Sequence, residues 1–258
     1  MTGSSVFSGE TKWINLGKTT SFLLRSKHLL GWTLLLVLAT AFFTWLGYSL
    51  AIDFIDGLTG DFFLKAPDSV GILGWFKHAG WVVGKYAFLI VSRVAGFYLA
   101  FMAAYCLTTP GYVFLSASTE KLQAGEKFVE DAPFTVGGII IDLIEGLKIG
   151  GLGLLVTLAA LVANLIPGIG QVVVFLLYTY YSALMFVDYP TSRRRWTLRE
   201  KIGWLNRHRL LSFRLGVLPA LVSLIPILNI FFLAMLFPLL TVHTTLNFNL
   251  VESGIDNK

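Results

Sequence analysis

Two long apolar runs, at 29–52 and 79–109, constrain this chain more than any motif does. A helix rises 1.5 Å per residue, so the first run, about 24 residues, reaches roughly 36 Å and exceeds a hydrocarbon core of about 30 Å. Composition agrees: 55% of residues are apolar and 14% are charged, where soluble domains carry roughly 25% charge. Mean hydropathy is +0.73. A soluble globule could not hide that much apolar surface, which excludes a soluble enzyme, a disordered chain and a coiled coil. A transmembrane β-barrel would show alternating segments of about ten residues instead of unbroken runs. The expected fold is therefore all-α and integral to the membrane.

Charge orders the rest of the chain into a single membrane domain, 1–258. Residues 11–28 carry Lys12, Trp13, Lys18, Arg25, Lys27 and His28 among apolar residues and read as an interfacial helix. The first span is 29–52; with no cleavable signal pattern before it, it is expected to act as an uncleaved signal anchor. Asp53, Asp56, Asp61 and Asp68 against Lys65 and Lys77 mark 53–78 as an outer loop. The second span is 79–109, where Pro110-Gly111 bends or ends the helix. The polar stretch 110–148 reads as a cytoplasmic helical segment. A hairpin at 149–187, a basic loop at 188–214, a second hairpin at 215–247 and a tail at 248–258 complete the chain. The basic loop holds Arg193, Arg194, Arg195, Arg199, Lys201, Arg207, Arg209 and Arg214 against Asp188 and Glu200. The positive-inside rule puts it in the cytoplasm together with both termini. The net charge of +5 is thus loop charge, with no nucleic acid implied. Cys106 is the one cysteine, which excludes an intrachain disulfide.

The two hairpins resemble each other. Ala160-Leu161-Val162-Ala163-Asn164-Leu165-Ile166-Pro167 and Ala220-Leu221-Val222-Ser223-Leu224-Ile225-Pro226 share Ala-Leu-Val…Leu-Ile-Pro with a one-residue gap. The apolar arm before Pro226, about ten residues, covers roughly 15 Å, half of the membrane. This hairpin is expected to enter halfway and turn back. The arms of the first hairpin, about 17 residues each or near 25 Å, leave its depth open; the repeat favours re-entry there too.

The tips carry the clearest signal for chemistry. Pro167, Gly168, Gly170 and Gln171, and then Pro226 and Asn229, break helices inside apolar sequence. Irregular backbone at that depth persists only when packed in protein or facing water. A helix starting there aims its N-terminal N–H groups into the membrane, a geometry that attracts anions; the alternative is a packed turn. Asn229 also suits an N-cap for a helix starting at Ile230. Arg93 stands near the middle of the second span, where a charge is costly. It serves an anion pathway, a structural pair with Asp142 or Glu145, or a protein contact. The run Arg193-Arg194-Arg195 reads as orientation charge that could also hold anionic lipid. Gly80/Gly84 and Gly146/Gly150 suit close helix packing, and a homo-oligomer is expected from them. Trp13, Trp75, Trp81, Trp196 and Trp204 read as interfacial anchors, and His243 as satisfied by neighbouring helices. Gly17-Lys18-Thr19 lacks the first glycine and the strand of a phosphate-binding loop. No catalytic constellation, metal cluster or cofactor motif stands out.

At both tips and the loop between them, the sequence resembles the CysZ/etoposide-induced membrane protein family. The residues that carry the likeness are Ile166-Pro167-Gly168-Ile169-Gly170-Gln171, Asp188-Tyr189-Pro190, Gly216, Ile225-Pro226-x-Leu228-Asn229 and Pro238, with Pro110-Gly111 and Glu120 before them. The resemblance implies two long transmembrane helices plus two half-penetrating hairpins. It also implies a bacterial inner-membrane permease or channel for a small oxyanion, sulfate or sulfite, and no enzyme. Where CysZ-type members carry Gly-(Leu/Ile)-Arg-Arg before the first span, this chain reads Ser26-Lys27-His28-Leu29-Leu30-Gly31. Arg25, Lys27 and His28 supply positive charge there in another pattern. The expected anion-binding set is therefore Arg25, Lys27, His28, Arg93, Gly168, Gly170, Gln171 and Asn229. The alternative function is a membrane scaffold or remodelling protein that transports nothing.

Overall fold

The computed structural model describes residues 13–64, 66–67, 70–125, 136–223 and 228–255. Its regular elements are helices: α1 (Leu16–Arg25), α2 (Lys27–Leu64), α3 (Gly71–Ala124), α4 (Val136–Ala163), α5 (Ile169–Ser192), α6 (Leu198–Arg207), α7 (Arg209–Ser223) and α8 (Leu228–Ile255). Four stretches are long and apolar enough to cross a membrane: Lys27–Gly60, Gly71–Ala124, Ile144–Ala163 and Ile169–Ser192. The protein is a multi-pass helical membrane protein.

The segment expected as an outer loop is mostly helix. α2 continues past Ile52 to Leu64, and α3 already begins at Gly71. Asp53 and Asp56 mark falling hydropathy, but aspartates spaced by three share one face of a helix and do not end it. Nor does α3 stop at Pro110, which lies inside the helix. Proline removes one intrahelical hydrogen bond there; Thr108 and Thr109 hydroxyls donate to the Ala104 and Tyr105 carbonyls nearby, each at 2.9 Å.

The chain divides into two compact units, 35–109 and the remainder. In the first, α2 and α3 run antiparallel in one register. Thr40 meets Thr108, Gly47 lies against Ala100, Gly96 against Ala51 and Ile52, and Asp56 meets Arg93. Lys85 reaches the Phe63 carbonyl at 3.5 Å. Much of the outer surface of this hairpin is apolar, with Phe54, Leu58, Val83, Ile90 and Leu99 exposed.

The other unit joins 13–34 to 110–255. Its core is Ala183, Leu184, Val187, Trp204, Leu205, Leu215 and Phe248. α5 and α7 touch backbone to backbone: a Cβ on Gly216 would overlap the Thr179 carbonyl. α1 starts at an Asn15 cap, whose side chain accepts from the Lys18 N–H at 2.9 Å. The chain entering it is pinned to α8, since Asn247 accepts from the Ile14 N–H at 2.9 Å and donates to its carbonyl at 3.1 Å. His243 is satisfied by Thr19 at 2.9 Å. Trp204, expected as an interfacial anchor, is instead buried in the core, with its indole N–H on Glu252 at 2.8 Å.

Close approaches by glycine also differ from the expected places. A Cβ at Gly80, Gly84, Gly146 or Gly150 meets nothing within 4 Å, whereas Gly47, Gly96, Gly153, Gly170 and Gly216 are packed positions. Among the described residues, none of these four glycines is a point of close approach.

Candidate functional site

The first tip is built by glycine chemistry. α4 ends at Ala163, and the chain turns through Asn164 to Gly168 before α5 begins. Gly168 has φ +80°, a conformation that favours glycine. Gly170 is buried against the backbone of Ala163, and a Cβ there would overlap that carbonyl. The first N–H groups are already engaged. Gly168 donates to the Gln171 side-chain oxygen, Ile169 to the Pro167 carbonyl at 3.0 Å and Gly170 to that of Ile166 at 2.8 Å. Gln171 Oε1 thus stands where an anion's oxygen would sit at this helix end. Around the turn the surface is apolar: Leu165 is 80% and Ile169 70% exposed.

Pro226 of the second tip lies outside the described residues. α8 begins at Leu228 and not at Ile230, so Asn229 falls inside its first turn.

Arg93 has a partner other than the two expected. Its guanidinium forks onto Asp56, Nη1 to Oδ1 at 3.0 Å and Nη2 to Oδ2 at 2.9 Å. Glu145 is committed elsewhere, accepting from Lys148 and from the Leu198 N–H at 2.8 Å. Asp56 lies in a stretch whose polarity suggests a loop; helical continuation of α2 brings it opposite Arg93.

Arg25 closes α1 and Lys27 and His28 open α2, all exposed. They lie on other elements than the α4–α5 tip. Arg93 belongs to the 35–109 unit, and all but Arg93 of the expected set to the other.

Three cations of the basic loop are held in ion pairs. Arg193 and Arg194 both reach Glu120, at 2.9 and 3.3 Å, and Arg194 also reaches Glu252 at 3.4 Å. Lys201, 1% exposed, bonds Asp188 at 2.6 Å. Carboxylates of the protein therefore hold Arg193 and Arg194, two of the three arginines expected to face anionic lipid. α6 opens on a reciprocal cap: Glu200 accepts the Thr197 N–H at 2.7 Å and its hydroxyl at 2.8 Å. These bonds hold the Glu200 carboxyl below its ordinary range. Burial pushes the His208 imidazole down as well. Glu120 and Glu252 are far from the arginines in sequence, and no spacing rule links them.

A cavity of about 420 Å³ opens between α4, α5 and α6. Leu152 and Val156, then Val173, Leu176, Leu177, Tyr180, Tyr181 and Leu184, then Ile202, Leu205 and Asn206 line it. So apolar a wall does not suit a sulfate dianion.

The family model described as Sulfate transporter CysZ/Etoposide-induced protein 2.4 matches residues 15–234. The chain belongs to this family. The match runs from α1 into α8 and includes both units. Of the residues that carry the likeness, Asp188 holds Lys201 and Gly216 seats α7 on α5. Glu120 holds two arginines. In this chain those residues build the frame.

Proposed function

We propose that the protein is a permease or channel for a small oxyanion, sulfate by family, in a bacterial inner membrane. The carrying observation is the two-pronged contact between Arg93 and Asp56. A guanidinium presents the same fork to a carboxylate and to a tetrahedral oxyanion. Asp56 then stands in for the anion, neutralising a cation that membrane-crossing helices could not leave bare. At the α5 tip, an oxyanion that displaced Gln171 would meet the Gly168 N–H at a positive helix end. Such an end contributes roughly 0.3–1 kcal/mol, far below the desolvation of a dianion, so the arginine is needed.

Two observations support half-penetrating hairpins. α7 has 15 residues, about 22 Å of helix against a core of roughly 30 Å. The apolar α4–α5 tip would be poorly placed in water, although α4 and α5 are long enough to span. Cysteines at 165–169 should therefore resist an impermeant reagent added outside; ready labelling would make this hairpin a full crossing. A homo-oligomer, with the open Gly80/Gly84 and Gly146/Gly150 faces between subunits, completes this reading.

Uptake of radiolabelled sulfate into proteoliposomes, with sulfite as competitor, tests the function. Arg93→Gln should lower flux at least tenfold, which about 1.4 kcal/mol of lost stabilisation already produces. Arg93→Lys should keep part of it, and Asp56→Asn should keep flux because the cation remains. Normal flux in a normally stable Arg93→Gln protein would remove the arginine from the pathway. Absence of uptake by the folded wild-type chain favours the second reading, a non-transporting membrane scaffold. That reading draws on Ser26–Gly31, which lacks the arginine pair, and on arginines committed to Glu120 and Glu252.

A further inference from the structure

We propose that the cavity between α4, α5 and α6 holds one acyl chain of an anionic phospholipid, whose phosphate is bound by Lys148, Arg199 and Asn206. The site is independent of the transport reading.

Length is the first argument. Along α5 the cavity wall runs from Val173 to Leu184, about 17 Å of helix. One leaflet of a bilayer is half of a core of roughly 30 Å, about 15 Å. The groove is therefore one acyl chain deep. Its volume, about 420 Å³, falls within the roughly 300–1,000 Å³ of ordinary small-molecule sites. Its walls belong to two long apolar helices of the membrane-embedded hairpin, so hydrocarbon is the medium that meets it.

Chemistry at the two ends is the second argument. Near the tip the lining is Val156 and Val173, both aliphatic. At the other end α6 lies across it and contributes Ile202, Leu205 and the amide of Asn206. Arg199, Ile202 and Asn206 follow at spacings of three and four, so they share one face of α6. Arg199 is exposed there. On α4, Lys148, Leu152 and Val156 form the corresponding stripe at spacings of four.

Two contacts bring these stripes to the same end. Tyr181 donates to the Ile149 carbonyl at 3.4 Å, and the Leu198 N–H donates to Glu145 at 2.8 Å. They place the Lys148 turn of α4 beside the start of α6. The Lys148 side chain is 52% exposed although it bonds Glu145, and an ammonium has three donors. Apolar depth, the Asn206 amide in the lining and, on the adjoining turns of α4 and α6, Lys148 and Arg199 beside Glu145 and Glu200 match a lipid tail and a polar, anionic head. The same end carries the basic loop, which the positive-inside rule gives to the cytoplasmic leaflet.

Native mass spectrometry of the full chain in mild detergent, titrated with phosphatidylglycerol or with phosphatidylcholine of the same chains, tests this. The phosphatidylglycerol adduct should survive at collision energies that strip phosphatidylcholine. Leu176→Trp or Val156→Trp, which fill the groove, should abolish the preference with melting temperature retained. Arg199→Gln should keep the adduct but weaken it about fivefold, the contribution of one cation near an anionic head. Glycerol phosphate, a head without a tail, should not compete. Equal retention of both lipids would overturn the proposal, and so would adducts indifferent to both tryptophans. Competition by glycerol phosphate would reduce the site to a phosphate pocket and overturn the acyl-chain assignment. A dimer that the tryptophans dissociate would make the groove an interface between copies and overturn it too.

Discussion

In the 35–109 hairpin, Arg93 and Asp56 meet with side chains 33% and 50% exposed. In the other unit, Lys201 is sealed on Asp188, and Glu120 and Glu252 share two arginines. Packed and open glycines occur in both units: Gly47 lies on Ala100 in the hairpin, while Gly150 in the other unit meets nothing within 4 Å. Gly216 is jammed against α5, while Gly80 and Gly84 face open space. Burial therefore separates ion pairs that hold a bundle together from one that stays accessible. A pair that an anion must enter has to be of the accessible kind. The bundle also covers its own polar groups: Ser116 bonds Thr245 at 2.8 Å, and Gln123 bonds the Leu246 carbonyl at 3.1 Å. The hairpin leaves its apolar flank to lipid or to a second copy.

The largest effect should come from breaking the sealed pair. Asp188→Ala leaves the Lys201 ammonium buried without its counter-ion, and removing one partner of such a pair costs about 3–5 kcal/mol. Lys201→Met in the same chain should recover much of the loss, because the stranded charge goes with it. Thermal and denaturant unfolding in detergent measure both. Arg93→Gln should destabilise less than Asp188→Ala; an equal loss would erase the distinction between the two units.

Glycine substitutions sharpen the comparison at a smaller scale. Gly216→Val must push α7 off α5, an overpacking that costs about 1–3 kcal/mol. Gly84→Ala should fall within about 0.5 kcal/mol of wild type, since its Cβ meets nothing in the chain. Should Gly84→Ala prove as damaging as Gly216→Val, the hairpin must be packed against another subunit, and native masses of the two variants would show which assembly was lost.

Particular residues show what hydropathy can and cannot reveal. The apolar runs located α2, α3, α4 and α5 because burial in lipid is a property of composition. Helix continuation through a more polar stretch is not, so Asp53 and Asp56 read as loop and composition points to Asp142 or Glu145 as the partner of Arg93, where the structure has Asp56. Pro110 looked like a possible terminus, yet a single missing hydrogen bond inside 54 residues of helix is tolerated. The tip at Gly168 and Gly170 was legible, because backbone needing φ above zero or close approach leaves glycines in the sequence. Its saturation by Gln171 was not, since a glutamine three residues on is ordinary in any helix. Trp204 and the arginines looked like surface groups because tryptophan and arginine at an interface and in a core differ only in partners such as Glu120 and Glu252, which lie far along the chain.

The smallest expected effect is a pH response confined to the start of α6. Glu200 accepts two hydrogen bonds from Thr197 that favour its charged form, so its folded carboxyl titrates below the ordinary glutamate value of about 4.3. A depressed carboxyl stabilises the fold fully above the unfolded value and loses that contribution as the pH falls through the folded one. The first turn of α6 should therefore be firm near neutrality and loosen below about pH 4. Glu200→Gln keeps the reciprocal cap, which glutamine can also make, but cannot titrate. It should flatten the acid limb of α6 protection while leaving neutral-pH protection near wild type; Thr197→Ala should lower protection across the range. Hydrogen exchange of the α6 amides, corrected for intrinsic rates between pH 3 and 7, reads all three proteins. An unchanged acid limb in Glu200→Gln would show that the α6 cap does not carry the pH response.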